Sequence, residues 1–239
     1  MKNINNNHYD GYYKYDKKVA QSYNSDREME AHWVEENRYV EQYFKIHKIE
    51  KLLDLPVGTG RFFKYYRHIS QLVGIDISED MLDEARKNMN CLDKDIKVTL
   101  EKGDVFNLHF ANNSFDGIIV FRLFHLIPER QLEAAIKELC RIGSKDIIVQ
   151  SYEYSSPPFF QRVKRRIKFE LKKIIKPKPV QQNTNTTPWS HIEAFTHTEN
   201  LISDCFKKYE FIEKEKKLLC FYNERKVLAT IYSKVNFHK

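Results

Sequence analysis

The chain has few of the residues that mark metal sites, redox sites and membrane spans. Its 239 residues include four cysteines, which lie far apart and form no C-x-x-C pair, so no structural metal or dithiol site is predicted. No apolar run approaches the roughly 18 residues that a membrane span needs. The first residues are polar, which argues against a signal peptide and favours the cytoplasm.

The composition restricts the chemical class of the binding partners but does not identify one of them. Hydrophobic residues make up 41% of the chain, enough for a packed core, and the length suits one domain with or without an inserted lid. The net charge of +7 favours anionic partners such as nucleic acid, phosphorylated sugars or lipid headgroups. A basic but otherwise ordinary solvated surface fits the same numbers.

Short apolar runs alternate with amphipathic segments from residue 50 onwards, which is typical of parallel strands joined by crossover helices. Predicted helices fall near 59–68, 78–87, 128–140 and 198–208. Predicted strands fall near 51–55, 71–76, 97–101, 115–121, 146–150, 211–219 and 226–233. The expected organisation is an N-terminal helical segment or lid (1–48), an α/β core (49–152), a basic helical insertion (153–192) and the rest of the core (193–239).

The N-terminal segment is predicted to contain one long helix. Ser25-Asp-Arg-Glu28 has the spacing of a capping box, with Ser at the N-cap and Glu three residues later. The helix is expected to run to about residue 46. Its apolar face is predicted to carry Met29, Trp33, Val40, Tyr43 and Phe44.

The most informative segment is the turn Asp54-Leu-Pro-Val-Gly-Thr-Gly60, which follows the first strand. Glycines between a strand and a helix let backbone amides approach a ligand closely. A dinucleotide fingerprint needs a third glycine three residues after the second, and Phe63 stands at that position. Nicotinamide and flavin cofactors are therefore disfavoured.

Here the chain resembles the class I S-adenosylmethionine-dependent methyltransferases, whose first motif is an acidic residue followed by a turn with G-x-G. Asp54, Gly58 and Gly60 fit that motif, whereas Pro56 stands where the family usually has Gly or Ala. The resemblance implies a Rossmann-like, seven-stranded, mostly parallel sheet with helices on both faces. It also implies S-adenosyl-L-methionine as cofactor.

Three further motifs of that family follow in order. Val73-Gly-Ile-Asp76 resembles the second, which implies that Asp76 holds the ribose hydroxyls. Gly103-Asp104-Val105 resembles the third, and Phe115 to Leu123 resembles the fourth. The residues expected at the cofactor are Asp54, Pro56, Gly58, Thr59, Gly60, Arg61, Asp76, Ile77, Met81, Asp104, Val105, Phe121 and Arg122, with Tyr23 and Arg27 from an N-terminal lid near its carboxylate.

The acceptor is less well defined by the sequence. An Asn/Asp-Pro-Pro-Tyr motif of amino-methylating relatives is absent after the fourth strand. His125 lies there instead, and it would suit a hydroxyl nucleophile as a general base. The pattern is somewhat more typical of a histidine that packs against the sheet or caps a turn. Further substrate contacts are expected from Tyr15, Trp189 and His191.

The predicted insertion adds a basic amphipathic helix within 159–179. Such helices lie on anionic membranes, bind phosphate backbones or cover an active site. We therefore expect a methyltransferase for a small-molecule or glycan-like acceptor, with transfer to oxygen. The basic charge balance is compatible with an anionic acceptor. Alternatives are an RNA methyltransferase that uses the basic helix, and a catalytically inactive cofactor-binding scaffold.

Overall fold

The computed structural model describes residues 15–154, 195–223 and 225–235. Its helices are α1 (Lys17–Ser22), α2 (Ala31–Ile46), α3 (Glu79–Lys87), α4 (Glu129–Ile142) and α5 (Glu199–Lys208). Its strands are β1 (Lys51–Asp54), β2 (Gln71–Asp76), β3 (Lys97–Lys102), β4 (Phe115–Val120), β5 (Gly143–Tyr154), β6 (Phe211–Tyr222) and β7 (Arg225–Lys234). The predicted basic helix lies outside the described residues.

The seven strands form one sheet in the order β3-β2-β1-β4-β5-β7-β6. The first five strands pair in parallel, whereas β7 is antiparallel to both β5 and β6. The predicted α/β class and the mostly parallel seven-stranded sheet are confirmed. From β1 the chain order of the strands runs one way to β2 and β3 and the other way to β4 and β5, so the order reverses between β1 and β4. Open α/β sheets bind ligands at such a point, at the carboxyl ends of their strands.

Both faces of the sheet are buried, because neighbouring residues of each central strand point to opposite sides. Leu53 belongs to a core that includes α4 and α5, and the adjacent Leu52 belongs to a second core that includes α2 and α3. Both leucine side chains are fully buried. Continuous apolar runs of this kind are typical of parallel strands covered on both faces.

The predicted start of the N-terminal helix is wrong. Ser25 lies in a turn and donates to the Ser22 carbonyl, and the long helix begins only at Ala31, with Glu30 at its N-cap. Met29 precedes that helix and is 89% exposed, so it is not part of the apolar face. Residues Trp33, Val40, Tyr43 and Phe44 are buried as predicted.

The helix predicted over 59–68 is reduced to one turn of 3-10 helix, Phe63–Tyr65. His68 has a φ of +58°, a left-handed conformation that ends helices. Tyr66 is fully buried, and its hydroxyl donates a hydrogen bond to Asp54 Oδ2. The aromatic side chains of this segment are buried in the core that includes α2 and β1, and that burial outweighs the helical pattern.

In the part of the chain that the structure describes, no helix combines the length and apolar character that crossing a membrane requires.

Candidate active site

The turn after β1 brings backbone amides to the carboxyl end of β2. Gly58 and Gly60 have φ values of +56° and +73°, which side chains with a Cβ rarely adopt. The Gly58 amide donates to Asp76 Oδ2 over 2.9 Å. A Cβ on Gly58 would be in ordinary van der Waals contact with the Met81 methyl group, 3.6 Å away, so the positive φ and not a lack of space favours glycine at this position.

Asp76 is held at the centre of this cleft by backbone donors. In addition to the Gly58 amide, the Ser78 amide donates to its Oδ1 over 2.9 Å. Burial raises the pKa of Asp76 to about 6, and these hydrogen bonds limit the rise. The carboxylate is fixed in direction and only 4% exposed, a geometry suited to hydrogen bonding a neutral polar ligand.

Asp54 lies beneath the turn rather than in the lining of the cleft. It is fully buried and accepts a 2.5 Å hydrogen bond from the Tyr66 hydroxyl. Burial raises its pKa to about 7, and the hydrogen bond from Tyr66 acts in the opposite direction. In this geometry Asp54 supports the turn from below.

The cleft continues along the strand ends towards β3. Asp104 accepts from the Phe106 amide over 3.1 Å, which fixes its side chain beside the cavity. This end of the cleft is lined by Leu55, Pro56, Ile75, Asp76, Ile77, Gly103, Asp104, Val105 and Leu123. The central part is lined by Pro56 to Thr59, Arg61 and Phe62, by Asp76, Ile77 and Met81, by Phe121 to Leu123, and by Tyr15, Tyr23 and Leu126. The predicted cofactor residues Asp54 and Gly60 are not in this lining.

An N-terminal flap crosses the central part of this cleft. Ser78 Oγ donates to the Tyr15 carbonyl over 2.6 Å and caps α3 by accepting from the Met81 amide. The Tyr15 and Tyr23 rings meet edge to face, and Tyr23 also contacts Trp33. The described part of the N-terminal segment thus covers the cleft, as a lid would.

A buried ionic cluster closes one end of the cleft, and sequence reasoning missed its centre. Glu36 of α2 is fully buried and lies 2.6 Å from Arg61 Nη2 and 3.0 Å from Arg122 Nε. Burial alone would raise the pKa of Glu36, but Arg122 and Arg61 outweigh it and lower the pKa. Arg61 also stacks on Trp33, 4.1 Å from the ring centroid.

The signal for Glu36 was present in the sequence. It occupies the same helical stripe as Trp33, Val40 and Tyr43, and a lone acid on an apolar face indicates a buried ion pair. Arg61 Nη1 and Arg122 Nη2 are also buried, and neither makes a hydrogen bond to any described residue. Two guanidinium groups of the cleft therefore keep donors available for an anionic ligand group.

A second cavity adjoins the cleft at Tyr15, Tyr23, Arg122 and Leu126, which line both. Its volume is about 280 Å³, near the lower end of ligand pockets, which span roughly 300–1,000 Å³. The residues that line it alone are Arg27, His32, His125, Tyr152, Tyr222, Asn223 and Arg225. The predicted cofactor residue Arg27 thus lies in this second cavity.

His125 stands in the wall of the second cavity, in the 3-10 turn Phe124–Leu126 that follows β4. Its ring meets Tyr152 edge to face at 5.2 Å. The returning chain fixes this turn, because the Phe195 amide donates to the His125 carbonyl over 2.8 Å. Trp189 and His191 lie outside the described residues, and within those residues no His, Cys, Asp or Glu cluster could hold a metal ion.

Comparisons with known proteins agree with this geometry. Residues 52–146 match the family model described as "Methyltransferase domain". A phosphatidylethanolamine N-methyltransferase of Cereibacter sphaeroides is 27% identical over 121 residues, which cover 50% of this chain and 60% of that protein. A demethylmenaquinone methyltransferase of Desulfitobacterium hafniense is 34% identical over 87 residues, or 36% and 34% of the two chains.

The chain thus aligns with only about a third to three fifths of the length of these relatives. Among solved structures, magnesium protoporphyrin IX methyltransferase from Synechocystis, crystallised with bound SAH, superposes with a TM-score of 0.63 at 14% identity, covering 92% of this chain and all of that one. That likeness establishes the fold. Residues 52–146 thus match a methyltransferase domain, and the chain has the Rossmann-like fold of that solved methyltransferase.

Proposed function

We propose that this protein transfers the methyl group of S-adenosyl-L-methionine to a small acceptor bound in the second cavity. The observation that carries the proposal is the junction of the two cavities. Four residues, Tyr15, Tyr23, Arg122 and Leu126, line both. A donor in the cleft and an acceptor in the second cavity would meet there, and alignment of two bound reactants is the main contribution a protein makes to such a transfer.

Different groups of cleft residues would contact different parts of the cofactor. Asp76 would accept hydrogen bonds from the ribose hydroxyls, and Asp104 with the Val105 amide would face the adenine. Arg61 and Arg122 would take the carboxylate with Nη1 and Nη2 respectively, two buried nitrogens that make no hydrogen bond to described residues, although Arg122 Nη2 also lies 3.6 Å from Glu30 Oε2. When bound, the cofactor supplies an activated methyl group on a sulfonium.

His125 is the proposed general base, which would make a hydroxyl or phenol the methylated group. It lies past the end of β4, in the wall of the acceptor cavity. An imidazole accepts a proton near neutral pH, whereas the guanidinium groups nearby stay protonated. Tyr23 and Trp33, packed over the cleft, would keep water from the reacting atoms.

The relatives and the cavity both favour a small-molecule or lipid acceptor. The names of two relatives specify phosphatidylethanolamine and demethylmenaquinone. The cavity, at about 280 Å³, is near the lower size limit for a small-ligand pocket. The RNA alternative rests on the net charge of +7 and on the predicted basic helix, which lies outside the described residues.

The direct test is transfer of labelled methyl from S-adenosylmethionine into fractionated cell extract. We expect label in one low-molecular-weight or lipid fraction, dependent on the intact protein. An Asp76→Ala variant is the negative control, because it lacks the proposed ribose contact. Label confined to RNA would favour the nucleic-acid alternative, and no label in any fraction would favour the inactive scaffold.

A further inference from the structure

Among the residues that the structure describes, Arg122 is the one buried non-glycine residue with a positive φ. Its φ is +60°, a left-handed conformation that is unfavourable for any residue with a Cβ. The other described residues of this kind are all exposed, namely His68, Asn113, Glu210 and Asn223. A strained buried residue persists only where its surroundings hold it in place, and such residues cluster at functional sites.

The guanidinium end of Arg122 is held from the side of α2. Its Nε donates to Glu36 Oε2 over 3.0 Å, and its guanidinium carbon lies 5.2 Å from the centroid of the Trp33 ring. The side chain lines both cavities at their junction and is 7% exposed. These contacts fix the end of the side chain, and the strained backbone needs a support of its own.

That support comes from Gln150 of β5. Strand β4 ends at Val120, which pairs with Val149, so the Arg122 amide lies beyond the strand ladder. It donates instead to Gln150 Oε1 over 3.0 Å. Gln150 is 1% exposed, and its side chain supplies the partner that a buried backbone amide requires.

The other end of the Gln150 amide has no comparable partner. Because a backbone N–H can only donate, the Gln150 oxygen must face Arg122 and its Nε2 must point elsewhere. This Nε2 is buried and makes no hydrogen bond to any described residue. A buried donor without a partner opposes folding, so an apolar side chain would serve packing alone at least as well as glutamine does.

We infer that Gln150 is a positioning residue, which holds the Arg122 backbone in the left-handed conformation and thereby aims the guanidinium at the carboxylate of the cofactor. A change of φ alters the direction in which a side chain leaves the backbone, so the aim of Arg122 depends on this hydrogen bond. The inference rests on the proposed function, because the contact between Arg122 and the carboxylate is part of it.

Two ligands separate the carboxylate contact from the rest of the site, and both are tested on the full chain by calorimetry. S-adenosylhomocysteine carries the carboxylate, and decarboxylated S-adenosylhomocysteine lacks that group alone. We expect the wild type to bind the first about tenfold or more tighter than the second, the effect of one charged hydrogen bond. The affinity for the decarboxylated ligand reports on folding and on the adenosine end of the cleft.

Variants of Gln150 test whether its oxygen matters. Gln150→Met removes the acceptor at nearly constant volume and is expected to lower the affinity ratio about fivefold or more, with the decarboxylated ligand bound as in the wild type. Gln150→Asn, one methylene shorter, should behave alike, whereas Gln150→Glu keeps an oxygen at the same chain length and should retain most of the ratio. Ser151→Ala is the matched control, because this 7% exposed residue follows on β5 and points to the opposite face.

A double-mutant cycle tests whether Gln150 acts through Arg122. Arg122→Met should lower the ratio by itself, and the addition of Gln150→Met should lower it no further. Additive losses would mean that Gln150 affects the carboxylate by another route, and would overturn the inference.

An unchanged ratio in Gln150→Met and Gln150→Asn would also overturn it, as would equal weakening of both ligands, which a purely structural role predicts. The same holds if Gln150→Glu loses as much of the ratio as Gln150→Met, or if neither removal variant binds the decarboxylated ligand. A wild type that binds both ligands equally would refute the carboxylate contact and this inference with it. A wild type that binds neither would refute the proposed function itself, so the two failures are distinguishable.

Discussion

The Glu36 carboxylate lies 2.6 Å from the Arg61 guanidinium, joining the N-terminal helix α2 to the turn that follows β1. The same Oε2 atom is 3.0 Å from Arg122 Nε after β4. One buried carboxylate thus fixes the positions of both arginines that line the cleft. The N-terminal segment is a structural part of the site as well as its cover.

Glu36→Ala is expected to destabilise the protein strongly, because it leaves two buried guanidinium groups without their shared partner. Breaking a buried ion pair typically costs about 3–5 kcal/mol. Denaturant unfolding measures the change. Glu41→Ala is the matched control, since Glu41 lies on the same helix, its side chain is 42% exposed, and it pairs with the surface residue Lys45 at 2.7 Å. Equal losses in the two variants would contradict a structural role for the cluster.

Tyr66→Phe is expected to destabilise the protein more at high pH than at low pH. A carboxyl whose folded pKa is raised, here Asp54 at about 7, favours folding at low pH, and this contribution is lost as the pH rises through that value. Without the Tyr66 hydroxyl the pKa of Asp54 rises further. At pH 8.5 the variant should therefore lose about 1.5–3 kcal/mol of unfolding free energy, the contribution of a hydrogen bond to a charged group.

At pH 6 Asp54 is mainly protonated in the folded protein. Tyr66→Phe should then lose less unfolding free energy, about 0.5–1.5 kcal/mol, because a neutral hydrogen bond is removed. Urea unfolding at the two pH values makes the comparison. Tyr65→Phe, at the adjacent half-buried tyrosine, should show no such difference. An equal loss at both pH values for Tyr66→Phe would show that Asp54 is not the titrating group.

Cofactor affinity is expected to weaken on acidification. Asp76 has a pKa raised to about 6, and only its carboxylate form accepts both ribose hydroxyls. Below that value the affinity should fall about tenfold for each pH unit. Isothermal calorimetry with S-adenosylhomocysteine between pH 5 and 8 measures it. Asp76→Asn should bind weakly and lose this pH dependence; a wild-type affinity that does not change with pH would contradict the assignment.

His125→Gln is expected to slow methyl transfer by about 10²–10⁴-fold once the acceptor is known, the range typical of a general base. Affinity for S-adenosylhomocysteine should not change. His109→Gln is the control, because His109 is exposed. Full turnover in His125→Gln would reject the role as base and with it the preference for a hydroxyl acceptor.

Sequence reasoning located the strands and their acidic ends because hydrophobic runs and glycine turns are local signals. Asp76 and Asp104 each follow a recognisable strand, and the sheet brings them to one edge. The helix predicted over 59–68 is reduced to one 3-10 turn because burial of Phe62, Phe63 and Tyr66 overrides its local pattern. Ser25 has the spacing of a capping box but lies in a turn ahead of the helix, which begins at Ala31. Propensity is a weak predictor where packing decides.

The second cavity could not be predicted from the sequence. Arg27, Tyr152 and Arg225 come from three distant segments, and only the fold brings them together. The sequence around each of these residues carries no pattern that indicates a cavity. Glu36 is different, because its place on an apolar helix face already indicated a buried partner.

The central claim is that the cleft around Asp76 binds S-adenosylmethionine, and calorimetry with S-adenosylhomocysteine tests it most directly. We expect a Kd on the order of micromolar for the wild type, weakened about a hundredfold or more in Asp76→Ala by the loss of two charged hydrogen bonds. Asp83→Ala, on α3 and paired with Arg86 at the surface, should bind like the wild type. No binding by the wild type, or unchanged binding by Asp76→Ala, would contradict the account.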